Sequence, residues 1–377
     1  MKRLLHPFVL VVTAILVVGY AYLAWRLTAT PLARIALALP FALIWTVPVV
    51  YWMGDREHVG AVHEIVHASS YLCMGWLNFV LVLTVARDAL LLLTALPVSA
   101  AAVHAALRDD GVSWVLVGSV IALALGVLTA RRGPHVRRVD IRVDGLAPDL
   151  DGLRIAQISD LHVGPTIGSA YVQRVVDMTR ALAPDLVALT GDIVDGSVPR
   201  LAPHVAPLGA LAGDRAFLVL GNHDYYAGAE RWTAHFETMG FRVLRNSHVT
   251  IARGAARLLI GGVIDFAARM RDASARPRPD LARDAAPAAY RVLLAHNPKI
   301  APQAEEAGFD LQLSGHTHAG QFFPWTLAVR LIHAPHAAGL SRRGRMWVYV
   351  SAGTGTWGPP VRFGTTPELT LLRLVAT

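Results

Sequence analysis

The sequence predicts an α/β protein preceded by a helical membrane region, and two observations carry this prediction. Long apolar stretches fill the first 130 residues, which contain only seven of the 35 basic and six of the 27 acidic residues. From residue 153 onward, short apolar runs alternate with helix-length segments, as is typical of a parallel sheet covered by helices. We therefore divide the chain into 1–134, a transmembrane helical region, and 135–377, a soluble domain long enough to bury one large core.

The composition agrees with a membrane protein and excludes several other classes. Hydrophobic residues make up 54% of the 377 residues and charged residues only 16%, and the mean hydropathy is +0.43. A lone cysteine, Cys73, excludes an internal disulfide framework and a cysteine-based zinc ribbon. The net charge of +8 comes from scattered arginines and not from a dense basic helix. We therefore expect no nucleic-acid partner and a stronger attraction to anionic lipids or phosphates.

Five apolar stretches approach the roughly 20 residues that a helix needs to cross the hydrocarbon layer, namely 4–25, 35–54, 65–86, 89–107 and 111–130. The fourth stretch contains Pro97 and His104, and only Arg87 and Asp88 separate it from the third. We therefore predict one long tilted span over 65–93 followed by an interfacial segment, which gives about four crossings. The first stretch has a long apolar core and no clear cleavage site of a signal peptide, so it counts as a span.

The basic residues that flank the spans predict the side of the membrane on which the soluble domain lies. With four spans and a cytoplasmic N-terminus, these residues all lie in the cytoplasm: Lys2, Arg3, Arg56, Arg131, Arg132, Arg137 and Arg138. This distribution follows the positive-inside rule, whereas five spans would place the cluster at 131–138 outside. We therefore expect a multi-pass protein of the inner (plasma) membrane with a cytoplasmic soluble domain.

Each apolar run of the soluble half ends in polar residues. The runs LRIAQIS, DLVALT, AFLVL, YRVLLA and DLQLS lead in turn to Asp160, Gly191-Asp192, Gly221-Asn222-His223-Asp224, His296 and Gly315-His316-Thr317-His318. The segments 169–182, 203–211 and 229–239 have the pattern of helices, and the tail from residue 346 predicts strands of a second sheet. Because open α/β sheets carry their sites at the carboxyl ends of strands, these polar residues are the candidate site.

Seven of these polar side chains have metal-binding chemistry: Asp160, His162, Asp192, Asn222, His296, His316 and His318. Asp160 and His162 are two residues apart, and an extended backbone would point both toward the same face. The carboxylate of Asp192 has two oxygens and can bridge two cations. A single Asp or His in such a place is more often a helix cap or an ordinary hydrogen-bonding residue. Seven of them at five successive strand ends predict a centre for Mn, Fe or Zn, because mixed nitrogen and oxygen donors suit these metals.

The motifs DLH, GDIVD, GNHD, the isolated His of AHNP, and GHTHAGQ resemble the five blocks of the calcineurin-like metallophosphoesterase superfamily. The resemblance covers about residues 135–377, and the ending SAGTGTWGPPVRFGTTPELT is similar to the membrane-associated bacterial branch. It implies a four-layer α-β-β-α sandwich. It also implies a metal-dependent phosphoric ester hydrolase of the phosphodiesterase or pyrophosphatase type.

The resemblance further implies a role for each site residue. Asp160, His162 and His318 would hold one metal ion, Asn222, His296 and His316 the other, and Asp192 would bridge the two. His223 would stand beside the substrate as general acid or transition-state stabiliser, and Asp224 would orient it. Asp195 is either an outer residue of the centre or an ordinary helix cap. Two divalent ions of Mn, Fe or Zn would supply a bridging hydroxide for in-line attack on phosphorus.

The membrane region favours a lipid-linked substrate. Similar membrane-associated members include hydrolases of UDP-2,3-diacylglucosamine, which makes a nucleotide-lipid pyrophosphate a concrete candidate. The side chains that suit such a substrate are Arg342, Arg343, Arg345, Arg362, Trp325 and Trp357. In the alternative interpretation these arginines are solvated surface and these tryptophans are core. The expected partners are a phosphate-containing small molecule or lipid-linked substrate, and the bilayer.

A different motif competes with this interpretation. Residues 63–67 spell HExxH, the zincin signature, in which His63 and His67 share one helix face and Glu64 is the general base. An intramembrane zinc metalloprotease would need a third ligand, for which Asp88 and His104 are the candidates. A further alternative is a non-catalytic metal-binding receptor, which the complete set of ligand residues disfavours.

Overall fold

The computed structural model describes residues 6–52, 60–95, 98–284 and 287–377. Lys2, Arg3 and Arg56, which entered the prediction of sidedness, lie outside the described residues. The chain forms two compact units. The first comprises Met1–Leu128 and Gly358–Val361, and the second comprises Thr129–Trp357 and Arg362–Thr377.

The first unit is built from apolar helices. They are α1 (Pro7–Leu27), α2 (Pro31–Thr46), α3 (Ala61–Thr94), α4 (Ala101–Asp109) and α5 (Gly111–Arg131). Helices α1 and α2 begin with a proline, whose missing N–H has no intrahelical partner at that position. A π-helical turn, Val47–Trp52, continues α2. Helix α3 contains the apolar stretch 65–86 and continues to Thr94, within the stretch 89–107. Helix α4 begins later in the stretch 89–107 and ends at Asp109.

Four helices of the described residues are long and apolar enough to cross a membrane: Pro7–Leu27, Pro31–Val49, Val62–Thr94 and Gly111–Arg131. Between 17% and 28% of the residues in the most apolar part of each helix are buried, so most of these apolar residues lie on the surface of the described structure. Length and composition support membrane helices, and the number of crossings stays a prediction.

A charge pair joins α1 and α3 within this unit. The Arg26 guanidinium donates to both oxygens of Asp88 at 2.7 and 2.6 Å, and the Tyr22 hydroxyl donates to the same carboxylate at 2.7 Å. The pairing neutralises two charges that would be costly in an apolar environment. Asp88 is therefore already engaged, and His104 lies 3.1 Å from the Thr94 hydroxyl.

The second unit contains two six-stranded sheets in the described part of the chain. Its strands are β1 (His135–Val143), β2 (Arg154–Ile158), β3 (Leu186–Leu189), β4 (Ala216–Leu218), β5 (Arg242–Val243), β6 (Ser247–Arg253), β7 (Ala256–Gly262), β8 (Tyr290–Leu294), β9 (Leu311–Ser314), β10 (Gly339–Arg343), β11 (Met346–Val350) and β12 (Glu368–Ala376). The first sheet has the order β1-β12-β2-β3-β4-β5 and the second β10-β11-β9-β8-β7-β6. Pairing is parallel except at β12·β2, β6·β7 and β10·β11.

The helices that cover the outer faces of these sheets are α6 (Ser169–Ala181), α7 (Val198–Val205), α8 (Asn222–Thr238) and α9 (Ala301–Glu306). Helix α10 (Trp325–Ile332) has no buried residue and contributes to none of the cores. One core, with Val176 and Trp232, lies between the first sheet and α6 to α8. A second core, with Phe217 and Tyr349, fills the space between the sheets, and a third, with Ala301, joins the second sheet to α9. Apolar burial on both faces of each sheet gives the four-layer α-β-β-α order, so the predicted fold class is confirmed.

Two predicted helices have different bounds. The segment 203–211 does not form one α-helix: α7 ends at Val205, and Ala206–Leu211 is a 3-10 helix, because Pro207 has no N–H to continue the α-helical bonding. Helix α8 is kinked at Gly228 (φ 114°, ψ 72°), and its second part corresponds to the predicted helix over 229–239. The first part was not predicted from the sequence and begins at Asn222, where the Asp224 carboxylate accepts the Gly221 N–H at 2.8 Å and caps the first turn.

Candidate metal centre

Loops that follow five strands bring the predicted ligands together. Strands β2, β3 and β4 are neighbours in the first sheet, as β8 and β9 are in the second. The loops after β2 and β3 also bond to each other: the Asp160 N–H donates to the Gly191 carbonyl at 2.9 Å, and the His162 N–H donates to the Asp192 carbonyl at 3.0 Å. The predicted ligands thus follow the carboxyl ends of the strands, as expected from the sequence.

The backbone of the site is strained. Five of the seven predicted ligands have a positive φ: Asp160 (53°), His162 (51°), Asp192 (52°), His316 (73°) and His318 (50°). A left-handed residue with a side chain costs on the order of 1 kcal/mol, and such residues cluster at functional sites. The prediction that an extended strand aligns Asp160 with His162 is wrong, because β2 ends at Ile158 and a tight loop aligns them.

A first cluster of ligand atoms joins Asp160, His162 and His318. The Nε2 atoms of the two imidazoles are 3.0 Å apart, and the His318 Nε2 lies 3.5 Å from Asp160 Oδ1. Ligand atoms that share one cation at about 2.0–2.1 Å are about 3 Å apart, so the spacing fits a common ion. All three residues are buried.

A second cluster joins Asn222, His296 and His316. The Asn222 Oδ1 lies 2.9 Å from His316 Nδ1 and 3.2 Å from His296 Nε2, and these two nitrogens are 3.3 Å apart. Because His296 Nδ1 donates to the Thr190 carbonyl at 2.9 Å, the Nε2 of the neutral ring is an acceptor, and it faces the Asn222 oxygen, which is also an acceptor. A cation would satisfy all three atoms at once.

Asp192 lies between the two clusters. Its Oδ2 is 3.1 Å from His296 Nε2 and 3.7 Å from His162 Nε2, while its Oδ1 accepts the His223 backbone N–H at 2.7 Å. One carboxylate oxygen therefore faces an imidazole of each cluster. The donor set and its spacing fit two divalent ions with Asp192 between them.

Hydrogen bonds behind the ligands fix the orientation of their rings. The Nδ1 of His296 lies 2.9 Å from the Thr190 carbonyl, and the Nδ1 of His162 lies 2.9 Å from Asp195 Oδ1. Such bonds direct the Nε2 of each ring into the site. The Ser159 hydroxyl donates to Asp160 at 2.5 Å, and a Cβ on Gly315 would collide with this pair of side chains. Only glycine fits at that position.

His223 stands at the edge of the site with its side chain 21% exposed. Its ring lies 4.7 Å from that of His162 and 5.8 Å from that of Trp357, and its Nδ1 lies 2.8 Å from Asp195 Oδ1. The open position and the anchored Nδ1 leave Nε2 as the atom that can exchange a proton with a ligand.

The prediction that Asp224 orients His223 is wrong. Both Asp224 oxygens accept backbone N–H groups: Oδ1 from Ile193 and Val194 at 2.9 and 3.0 Å, and Oδ2 from Gly221 at 2.8 Å. Asp195 is the carboxylate beside His223. The sequence contained a signal for it, since Asp195 closes the GDIVD motif, but the helix-cap alternative accounted equally well for that position.

The surroundings of Asp195 and Asp224 shift the pKa values of these two carboxyls in opposite directions. Burial raises the pKa of the Asp195 carboxyl, but the imidazoles of His162 and His223 outweigh burial and hold it well below its usual range. Burial opposes protonation of His162, yet Asp195 raises the pKa of this imidazole to about 9. Burial and then the negative charge of Asp192 raise the pKa of Asp224 to about 7. Asp195 is thus the ionised partner of two histidines.

Arg362 does not reach a substrate, contrary to the interpretation of it as an anion-binding residue. Its side chain is fully buried, and it donates to the backbone carbonyls of His318 at 2.9 Å and Gly355 at 2.6 Å. Its Nη2 is also 3.2 Å from His318 Nδ1. Burial lowers the pKa of Arg362 to about 10, so it stays charged at neutral pH and supports the His318 turn.

The other predicted substrate side chains divide between surface and site. Arg343 pairs with Glu305 at 3.0 Å, and the Arg342 guanidinium lies over the Trp347 ring at 5.0 Å. Trp357 borders His223, as its ring distance shows. Trp325 is 53% exposed.

The HExxH residues are not part of a metal cluster in the described chain. There, groups of three or more metal-binding side chains with ligand atoms within 4.8 Å fall between residues 160 and 318. His63 and Glu64 are exposed, whereas His67 is buried, with its ring 4.5 Å from that of Tyr71. Both candidates for a third ligand, Asp88 and His104, bond to other side chains.

Comparisons with known proteins agree with the site. A family model described as calcineurin-like phosphoesterase matches residues 153–320. A "transmembrane protein with metallophosphoesterase domain" of Danio rerio is 36% identical over 270 residues, which are 68% of this chain and 60% of that protein. An "uncharacterized metallophosphoesterase" of Aquifex aeolicus is 33% identical over 265 residues, 67% of this chain and 97% of that protein. The chain thus spans about three-fifths of the animal relative and nearly all of the bacterial one.

Proposed function

This chain belongs to the calcineurin-like metallophosphoesterase family, and on that premise we propose that it hydrolyses phosphodiester or pyrophosphate bonds. The observation that carries the proposal is the position of Asp192 Oδ2, which faces an imidazole of each cluster at 3.1 and 3.7 Å. A shared carboxylate between two ligand sets is the arrangement of a two-metal hydrolase. In this proposal residues 135–377 are the catalytic domain.

Two divalent transition-metal ions fit the donor atoms. Asp160, His162 and His318 would hold one ion, Asn222, His296 and His316 the other, and Asp192 both. When bound, such a pair neutralises phosphoryl oxygens and lowers the pKa of water. Histidine-rich donor sets favour Mn, Fe or Zn over Mg or Ca.

The chain's own residues supply the proton and the orientation. His223 Nε2 points away from the Asp195 carboxylate and can donate a proton to the leaving oxygen of the substrate. Asp195 holds the proton of His223 on Nδ1 and stabilises the ring when it is charged. Because the same oxygen also contacts His162, one carboxylate couples the acid to a ligand of the first cluster.

A lipid-linked phosphoester is the proposed substrate class. Four helices are apolar enough to span a membrane, and animal relatives are named transmembrane proteins. Trp357 beside His223 offers an aromatic surface next to the reacting group. A nucleotide-lipid pyrophosphate such as UDP-2,3-diacylglucosamine fits this chemistry. Membrane anchoring and a cytoplasmic catalytic domain complete the proposal, and a reporter fused after Thr377 measures its sidedness.

The deciding experiment measures hydrolysis of a chromogenic aryl phosphodiester by the full chain with added Mn, together with its metal content. We expect Asp192→Ala to lose both metal and turnover, since it removes the shared ligand. We expect His223→Ala to keep its metal and to lose turnover by a factor of about 10²–10⁴, the usual effect of a general acid.

Asp214→Ala is the matched control, because its side chain is 93% exposed and pairs only with Arg242 in the described structure. It should retain both metal and turnover. A folded, metal-loaded wild type that hydrolyses no monoester, diester or pyrophosphate would contradict the proposed function.

A further inference from the structure

The segment that follows His318 exposes a run of large apolar side chains. Phe323, two residues before α10, is 39% exposed, and within α10 the exposed fractions are 53% for Trp325, 53% for Leu327, 83% for Leu331 and 63% for Ile332. Elsewhere in the described second unit, exposed large apolar side chains occur singly, as at Tyr226, Met270 and Leu281. A contiguous exposed patch of this kind marks an interaction surface.

The helical spacing places these side chains on one arc. Leu327 and Leu331 are four residues apart, as are Ala328 and Ile332, and Trp325 lies three residues before Ala328. Of the remaining positions, Thr326 and Val329 are half-buried and face the domain, and Arg330 is exposed at the border of the arc. Helix α10 therefore turns its apolar arc away from the core, opposite to what a packed surface helix does.

Both ends of α10 contact the candidate metal centre. At its start, a Cβ on Gly320 would collide with the backbone of Trp325 and Thr326, so the helix lies directly against the His318 turn. At its end, the ring of His333 is 5.7 Å from that of His316. Whatever covers the apolar arc therefore lies beside residues of both clusters.

A cationic cavity adjoins the arc. It has a volume of about 280 Å³ and is lined by Lys299, Ile332, His333, His336, Arg343 and neighbouring prolines and alanine. Because Arg343 is paired with Glu305, the positive charge that this lining offers to a headgroup comes from Lys299. The combination of an apolar arc with a cationic cavity complements a lipid surface that carries anionic headgroups.

The chain itself brings such a surface within reach. Helix α5, which is apolar enough to span a membrane, ends at Arg131, and β1 of the catalytic domain begins at His135. A linker of three residues keeps the domain at a high effective concentration next to lipid. A bilayer is thus the apolar partner that is always present.

We infer that α10 docks on an anionic bilayer surface, with its apolar arc among the acyl chains and the cationic cavity at the headgroups. The metal centre then works at the level where the phosphoester of a lipid lies. This inference rests on the proposed function for its purpose, but the docking itself does not require any turnover.

The test places a fluorescent probe on the arc of the full chain. In a Cys73→Ala background, Leu331→Cys is labelled with an environment-sensitive dye and reconstituted in phosphatidylcholine vesicles with phosphatidylglycerol. Leu281→Cys is the matched control, because Leu281 is also an exposed leucine, at 51%, but lies outside α10. We expect brominated acyl chains to quench the dye at 331 and not at 281. Equal quenching at the two positions overturns the inference.

A second copy of the chain that covers the arc would shield the dye at 331 in detergent, and this shielding would increase with protein concentration. That result would also overturn the inference. A functional arm uses the double variant Leu327→Asp/Leu331→Asp, with Leu281→Asp as control. We expect unchanged turnover of a soluble aryl phosphodiester and a loss of about tenfold or more with a vesicle-embedded phosphodiester, since two apolar anchors are removed. If wild type hydrolyses neither substrate, the proposed function fails, while the quenching still decides the docking.

Discussion

At the scale of single residues, one oxygen of Asp195 carries two contacts of the candidate centre. It lies 2.9 Å from His162 Nδ1 and 2.8 Å from His223 Nδ1. Ring orientation at a metal ligand and at the candidate acid therefore depends on the same carboxylate.

We expect Asp195→Asn to lower turnover by about 10–100-fold, because the amide cannot carry the negative charge that holds both rings. The pH–rate profile should change as well, since the substitution removes from beside the candidate acid a carboxylate whose pKa is held well below its usual range. Turnover as a function of pH and metal content check this, with Asp214→Asn as control. Unchanged turnover together with an unchanged pH profile would assign Asp195 to a capping role only.

Asp224 has a structural effect instead. It is buried and accepts three backbone N–H groups that flank the Asp192 and Asn222 loops. We expect Asp224→Ala to lower the free energy of unfolding by roughly 3–5 kcal/mol, because the buried donors lose their acceptor. Denaturant unfolding of the second unit measures the loss, with Asp214→Ala as the control. A loss below about 1 kcal/mol would contradict this account.

At the scale of elements, the loop after β9 depends on a glycine. Because a Cβ on Gly315 would collide with Ser159 and Asp160, we expect Gly315→Ala to displace Asp160 and to weaken the first cluster. Metal analysis should show fewer bound ions per chain and reduced turnover. Gly209→Ala is the control, since its nearest contact, with Met239, would be an ordinary 3.9 Å. Full metal content in Gly315→Ala would contradict the prediction.

The elements also show which parts of the structure a sequence can predict. The runs before Asp160, Asp192, Asn222, His296 and His316 predicted five strands because a short, mostly apolar run that ends in polar turn residues is typical of a buried strand. The bounds of α7 were wrong and the part of α8 before its kink at Gly228 was missed, since Pro207 and the cap at Gly221 act over one or two residues. The position of β12 between β1 and β2 depends on contacts over more than 200 residues, which no local pattern encodes.

The candidate site was predictable in its residues and not in its geometry. Residue types at strand ends indicated the metal chemistry, but the left-handed backbone of Asp160 and His162 has no counterpart in the motif DLH. For the same reason Asp195 and Asp224 exchanged roles: which carboxylate faces a ring and which faces backbone is decided by loop packing. Arg362 likewise became a buried support because its turn folds inward.

At the scale of the whole molecule, metal binding and stability should be linked. The two clusters bring nitrogen and oxygen donors to the spacing of metal ligands only in the folded chain, so bound metal would favour the folded state. We expect that removal of metal with a chelator lowers the midpoint temperature at which the second unit unfolds, and that added Mn restores it. A metal present at about 1,000 times its Kd stabilises by about 4 kcal/mol.

Asp192→Ala provides the control for this linkage, because its thermal midpoint should respond little to chelator or to Mn. A wild-type midpoint that is the same with and without metal would show that the clusters are satisfied by protein contacts alone.

The order of the first sheet has a consequence for how the protein is made. Strand β12 is the neighbour of β1 on one side and of β2 on the other, yet it is the last strand of that sheet to be synthesised. While the chain is still on the ribosome, β1 has no partner in its sheet, and β2 lacks one of its two. The apolar helices at residues 7–131 leave the ribosome well before β12 does, so we expect them to enter the membrane before the second unit folds. During that interval the edges of β1 and β2 are open, which makes nascent chains the form of this protein most in need of a chaperone.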